Sequence, residues 1–121
     1  MQKRIFVIQY HEDKILKSAS QDLIDGYYFY EKQAEGLGVY FLDSLFSDIE
    51  SLKIYAGIHS LHFERYLRLL SKRFPFAVYY RIENDTVLVY AVLDCRRNPA
   101  LMRKKLKKID EYNMMKMLPG R

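Results

Sequence analysis

The spacing of apolar residues changes several times along the chain, and each change predicts an element. Ile5-Phe6-Val7-Ile8 is a short β-branched and aromatic run and reads as a first strand. From Lys14 onward Ile15, Ala19, Leu23, Tyr27, Tyr30 and Ala34 recur every three or four residues. That is one apolar face of a helix, with Lys17, Asp22, Asp25 and Glu31 left for its wet side. Gly36-Leu37-Gly38 interrupts the pattern, because glycine tolerates the positive φ of a helix end. A second helical period runs through Leu42, Leu45, Phe46, Ile49, Leu52 and Lys53 and closes near Gly57. So short a connection predicts an antiparallel helical hairpin.

Strand-like runs follow. Tyr66-Leu67-Arg68-Leu69-Leu70 is short and apolar, and Ser71-Lys72-Arg73-Phe74-Pro75 makes a turn around a proline that fixes φ. Residues 76–82 and 86–93 are the two strongest strands, joined tightly by Glu83-Asn84-Asp85 into an antiparallel hairpin. After Asn98-Pro99 the period is helical again, through Met102, Leu106, Ile109 and Tyr112 or Asn113. Asn98 suits the cap of that helix and Pro99 its first position. The predicted class is α+β: an N-terminal strand, a helical hairpin, a three-stranded antiparallel meander (β-α-α-β-β-β) and a basic C-terminal helix. One hairpin covers one face of such a sheet, so the other must meet solvent, the C-terminal helix or a partner. Tyr66, Arg68, Arg81 and Tyr90 suggest a wet, binding-competent face there. A single domain is expected over 1–112, with 113–121 a flexible tail.

Composition narrows the class. At 121 residues, half hydrophobic and 29% charged, the chain fits one globular domain and neither a disordered nor a fibrous protein. No apolar stretch approaches the roughly 20 residues that cross a bilayer. The first apolar run is too short for a secretory signal, so a soluble, cytoplasmic protein with no membrane association is expected. The net charge of +5 is unevenly placed: residues 1–95 carry −2 and residues 96–121 carry +7. Arg96, Arg97, Arg103, Lys104, Lys105, Lys107 and Lys108 follow one another without an intervening acid. A positive segment on a near-neutral body points to an acidic partner, nucleic acid or protein, or else forms the solvated face of a terminal helix.

Other reactive residues carry less. His59-x-x-His62 beside Glu64 has a spacing that could hold zinc, but His11 is remote and Cys95 lies on another element, so no metal or other cofactor is expected. Cys95 precedes two arginines that could lower its thiol pKa, yet it has no histidine partner in sequence and reads as a strand-end filler. Asp22, Asp25 and Asp94 are not spaced as a carboxylate pair; the first two read as helix-surface residues. Met114-Met115-x-Met117-Leu118 is either tail or an apolar hook for a partner.

Residues 5–102 resemble the RelE/ParE superfamily of bacterial toxins. The resemblance rests on order and spacing: Asp22-Leu23 and Tyr27-Tyr28 on the first helix, Arg65 and Arg68 on the following strand, and the stretch RFPFAVYYRIENDTVLVYAVLDCRRNP at 73–99. That stretch is most similar to the ParE (plasmid stabilisation) branch. The resemblance implies a type II toxin, neutralised by a cognate antitoxin and acting in the ParE manner by binding and poisoning DNA gyrase. It implies as the alternative a RelE-like mRNA interferase working on the ribosome without a metal. For a nuclease the carried-over residues are Arg65, Arg68 and Arg97, whereas the strand position where an arginine is expected is Ala77 and the C-terminal acid position falls near Arg103. For a binder the expected contact residues are Arg81, Arg96, Arg97, Arg103, Lys104, Lys105, Lys107 and Lys108. Assembly as a homo-oligomer or with the antitoxin is left open.

Overall fold

A computed structural model describes residues 12–63 and 65–116. Strand β1 (Glu12–Ile15) leads into helix α1 (Lys17–Glu31), followed by α2 (Leu37–Glu50) and a one-turn α3 (Leu52–Tyr55). Strands β2 (Leu61–His62), β3 (Tyr66–Leu70), β4 (Phe76–Glu83) and β5 (Thr86–Asp94) follow, and helix α4 (Pro99–Lys116) closes the order. The five strands form one sheet in the order β1-β5-β4-β3-β2, with β1 parallel to β5 and the other pairings antiparallel. The fold is therefore the expected α+β arrangement: a helical hairpin before an antiparallel meander, and a basic helix at the end.

The proposed strand at 5–8 lies outside the described residues. Within them, the elements differ from the sequence reading in some details. Ile15, read as the start of the first helix, instead ends β1 on the sheet edge beside Val89. Its spacing to Ala19 fits either element, and pairing with β5 decides between them. The second helix breaks at Ser51 into α2 and α3, and the loop holding His62 contributes a two-residue edge strand against β3.

The hairpin is set by close contacts. A Cβ added at Gly26 would lie 2.5 Å from the Phe41 ring, and one at Gly38 would lie 2.7 Å from Tyr27. The two helices can therefore approach only where these side chains are absent. Glu31 joins them at the turn: its carboxylate accepts the backbone N–H groups of Gly36 (3.1 Å) and Gly38 (2.9 Å), which caps α2 from the end of α1.

Both faces of the sheet are packed. Val78, Tyr80, Val87, Val89 and Val92 face the hairpin with Leu23, Phe41 and Leu45. Tyr66, Ala77, Tyr79, Tyr90, Ala91 and Leu93 face α4 through Met102 and Leu106. A bulge makes this division possible. Tyr80 pairs with Val89 while Tyr79 pairs with Ala91, so Tyr90 is an additional residue that lets both Tyr90 and Ala91 turn toward α4. The second face is consequently not wet, as its tyrosines and arginines suggested. Tyr66 and Tyr90 are buried under the C-terminal helix.

Beyond Val89 the edge of β5 has no strand beside it among the described residues, and α1 covers it instead. Leu16 N–H donates to the Val89 carbonyl (3.0 Å), Ser18 Oγ donates to the Tyr90 carbonyl (2.6 Å), and Asp22 Oδ2 accepts the Val92 N–H (2.9 Å). Asp22, read as a surface residue, is buried for this reason. Its burial raises the carboxyl pKa, against the lowering effects of the Val92 N–H and of Lys105.

Candidate functional site

The site grows from the start of α4. Asn98 Oδ1 accepts the Ala100 N–H at 2.8 Å, the cap the sequence anticipates, with Pro99 in the first helical position. At 100° per residue, Met102, Leu106 and Ile109 form the stripe that meets the sheet, and Lys104, Lys107 and Lys108 fall on the opposite side. The helix runs on to Lys116, four residues past the boundary expected at 112, with Asn113 Nδ2 donating to the Ile109 carbonyl at 2.8 Å. Residues 117–121 of the expected tail lie outside the described residues.

The cations of the basic segment divide into two groups. Some hold the molecule together. Arg96 folds back on Asp94 through two hydrogen bonds of 2.9 and 2.7 Å. This pairing holds the Asp94 carboxyl below its usual range and strengthens the protonation of Arg96. Lys105 reaches Asp22 at 3.4 Å across the sheet edge. Arg81 lies over the paired rings of Tyr66 and Tyr90, at 5.9 and 5.7 Å, and binds Asp110 at 3.2 Å. Arg65 takes the other oxygen of Asp110 at 2.7 Å. That carboxylate thus pins the second half of α4 to the sheet. The Tyr66 hydroxyl donates to the Leu106 carbonyl at 3.4 Å, and burial pushes the Tyr66 phenol up to about 12.

The remaining cations are uncommitted. Arg97, Lys104, Lys107 and Lys108 are exposed and make no ion pair among the described residues. Arg103 makes none either and rests over the Phe63 ring at 5.3 Å. Of the eight expected contact residues, the structure thus presents Arg97, Arg103, Lys104, Lys107 and Lys108 outward, and ties Arg81, Arg96 and Lys105 to carboxylates of the same chain.

The three arginines carried over for a nuclease do not converge. Tyr66, next to Arg65, sits at the end of the sheet near the β4–β5 turn, whereas Arg97 follows the opposite end of β5. At about 3.3 Å per residue, five to six rungs separate them by roughly 17–20 Å. Arg68 lies between, opposite Tyr79. The Tyr79 hydroxyl is buried without a well-aligned hydrogen bond; burial raises its pKa, and Arg68 approaches closely enough to offset part of that rise. His59 is tied into the fold. His59 Nδ1 meets the Tyr80 hydroxyl at 2.5 Å while that hydroxyl accepts the Gly57 N–H at 3.0 Å, and burial lowers the His59 pKa. Among the described residues no three metal-ligating side chains cluster, and no helix is long and apolar enough to cross a membrane. Burial raises the Cys95 thiol pKa, with Arg68 offsetting part of the rise, in place of the lowering by Arg96 and Arg97 that the sequence suggested.

The architecture matches a chain in the solved structure of the chromosomal ParDE TA system from P. aeruginosa. The TM-score is 0.60 over 67% of this chain and 91% of that chain, at 16% sequence identity. This is the ParE-like fold. No protein-family model and no curated protein matches the sequence, so the likeness is carried by element order and geometry. In the ParE-like fold seen here, the basic helix α4 lies on the sheet face opposite the helical hairpin and turns its uncommitted lysines outward.

Proposed function

We propose that the protein is the toxin of a type II toxin–antitoxin pair, acting as a binder of the ParE kind whose target is DNA gyrase and whose activity a cognate antitoxin cancels. The observation carrying this reading is the open cationic surface made by Arg97, just before α4, and by Lys104, Lys107 and Lys108 on it, on a ParE-like fold. A binder needs only a surface that complements an acidic partner. A ribonuclease needs a base, an acid and cations gathered on one phosphate. The dispersion of Arg65, Arg68 and Arg97, and the engagement of Arg65 and Arg81 with Asp110, favour the binder.

The test is inhibition of gyrase supercoiling by the purified protein. Reversing Arg97, Lys104 and Lys108 to Glu abolishes inhibition without lowering the melting temperature, since none of the three is ion-paired among the described residues. Undiminished inhibition by the reversed variant removes α4 as the contact surface. Ribosome-dependent cleavage of mRNA that Arg68→Ala abolishes, with no effect on gyrase, overturns the reading in favour of the interferase. Localisation in the cytoplasm accompanies either activity.

A further inference from the structure

The outer face of the helical hairpin, turned away from the sheet, is apolar where contact with water alone would select polar residues. Ala19, Leu23 and Tyr30 of α1 and Phe41, Leu45 and Ile49 of α2 point into the core. At 100° per residue, Ile24 and Tyr28 then fall on the outward side of α1. Val39 and Phe46 fall on the outward side of α2, toward the seam between the helices. These four side chains are 47, 59, 52 and 45% exposed, so nothing among the described residues covers them. Single exposed apolar residues are ordinary, but four on one face of two adjacent helices make a patch of the kind that marks an interface.

The charges bordering the patch are sorted by helix. α2 contains no Lys or Arg, and its outward side carries Asp43 and Glu50, with Glu35 just before its start. α1 has Lys17 at its first position and Lys32 at its C-cap, both exposed. Its exposed acid, Asp25, turns aside to the bare edge of β5, where it lines a hollow with Val92 and Leu101. Lys17, Lys32, Glu35 and Asp43 make no ion pair among the described residues, and Glu50 pairs with Lys53, three residues on. One border of the patch is thus cationic and the other anionic. Gly26 meets Phe41 across the antiparallel helices, so Lys17 lies level with Glu50 and Lys32 with Glu35. The complement of this surface is the same surface turned about a two-fold axis.

We infer that the outer face of the hairpin binds a second copy of the chain, in an isologous dimer whose two hairpins make a four-helix bundle. With the axis parallel to the helices, α1 of each copy lies over α2 of the other. Ile24, Tyr28, Val39 and Phe46 of both copies meet in the middle. Lys17 faces the partner's Glu50, and Lys32 faces the partner's Glu35. An acidic helix of another protein would suit the lysines and meet Asp43 and Glu50 with like charge, and a basic helix has the opposite fault. A second copy matches both borders. Helices of 15 and 14 residues offer a face about 21 Å long and about 20 Å wide. That is the small end of specific interfaces and predicts a dimer of micromolar affinity. α4 lies on the opposite face of the sheet, so the dimer leaves Lys104, Lys107 and Lys108 open and does not rest on the toxin reading.

The experiment is sedimentation velocity of the full chain at concentrations from about 1 to about 200 μM. The chain passes from monomer to dimer across this series, whereas Ile24→Lys and Phe46→Ser stay monomeric with an unchanged circular dichroism spectrum. Lys17→Glu and Glu50→Lys, each alone, weaken the dimer roughly 5- to 100-fold, because each variant sets two like-charge pairs across the axis. An equimolar mixture of these two variants dimerises again, since both pairs in the mixed dimer are then opposite in sign. A change acting within one chain cannot produce that recovery, so the mixture stands as a test even where a single variant lowers the melting temperature. A chain that stays monomeric throughout the series overturns the inference and leaves the face to a helix of another protein. A dimer that Ile24→Lys leaves intact, or charge variants that fail to recover on mixing, overturns it as well.

Discussion

Asp22 offers the sharpest test of how the sheet edge is closed. Its Oδ2 accepts the Val92 N–H at 2.9 Å on the part of β5 that β1 leaves bare, and its Oδ1 is 3.4 Å from Lys105. Asp22→Ala strands a buried donor, which costs about 1–3 kcal/mol. The pair with Lys105 adds no more than about 1 kcal/mol, since that side chain is 54% exposed. Relief of the buried carboxylate, whose pKa burial raises, returns part of the loss. The net expectation is about 2 kcal/mol, or a melting temperature lower by about 8 °C for a chain of this length. Asp22→Asn keeps an acceptor for Val92 and discards the charge, so it changes stability by less than about 0.5 kcal/mol. Urea denaturation gives both values, and hydrogen exchange of the Val92 amide, accelerated in the Ala variant alone, reports the bond directly. If Asn is as damaging as Ala, the charge on Lys105 holds this edge and the account of the edge donor is wrong.

Three further outcomes follow from the same geometry. Glu31→Ala removes the acceptor for Gly36 and Gly38 and lowers stability by about 1–2 kcal/mol in urea denaturation, with Glu31→Gln recovering part of it. Gly26→Ala drives a methyl group to 2.5 Å from the Phe41 ring and costs about 1–3 kcal/mol by overpacking, read as a lower melting temperature. Burial raises the Asp13 carboxyl to about 6, and neither of its oxygens has a hydrogen-bond partner among the described residues. The folded form therefore binds this proton more tightly than the unfolded chain, so the group's contribution to stability falls as pH rises from about 4 to 6. Asp13→Asn accordingly raises the melting temperature at pH 7 and leaves it nearly unchanged at pH 4; a larger gain at pH 4 reverses the sign and refutes the assignment.

Much of this fold is legible locally. The hairpin of helices, the β4–β5 pair and the Asn98 cap are specified within a few residues of themselves, by period, glycine placement or a side-chain oxygen two positions from its donor. What escapes the sequence is settled by distant parts of the chain. Asp22 looks solvated until one knows that β1 stops at Ile15 and leaves Val92 without a partner. Tyr66 and Arg81 look wet because nothing near them announces Asp110, 29 residues after Arg81, which brings α4 down over them. The concentration of positive charge is legible in full, but its division is not. Separating Arg96 and Lys105 from Arg97 and Lys104 requires knowing where Asp94 and Asp22 lie. Phe63 gives no signal, because its left-handed backbone and its contacts with Tyr79 and Arg103 arise only when the turn is assembled.

Five consecutive buried residues, Phe76 to Tyr80, run through the middle strand, alternately serving two opposed layers of side chains. No position in that segment can drift toward a new partner without opening a void above or below it. Whatever diversification such a small chain undergoes is channelled to the outer lysines of its last helix and to the short turns at the ends of the strands, where a changed residue answers to its ligand and not to the interior.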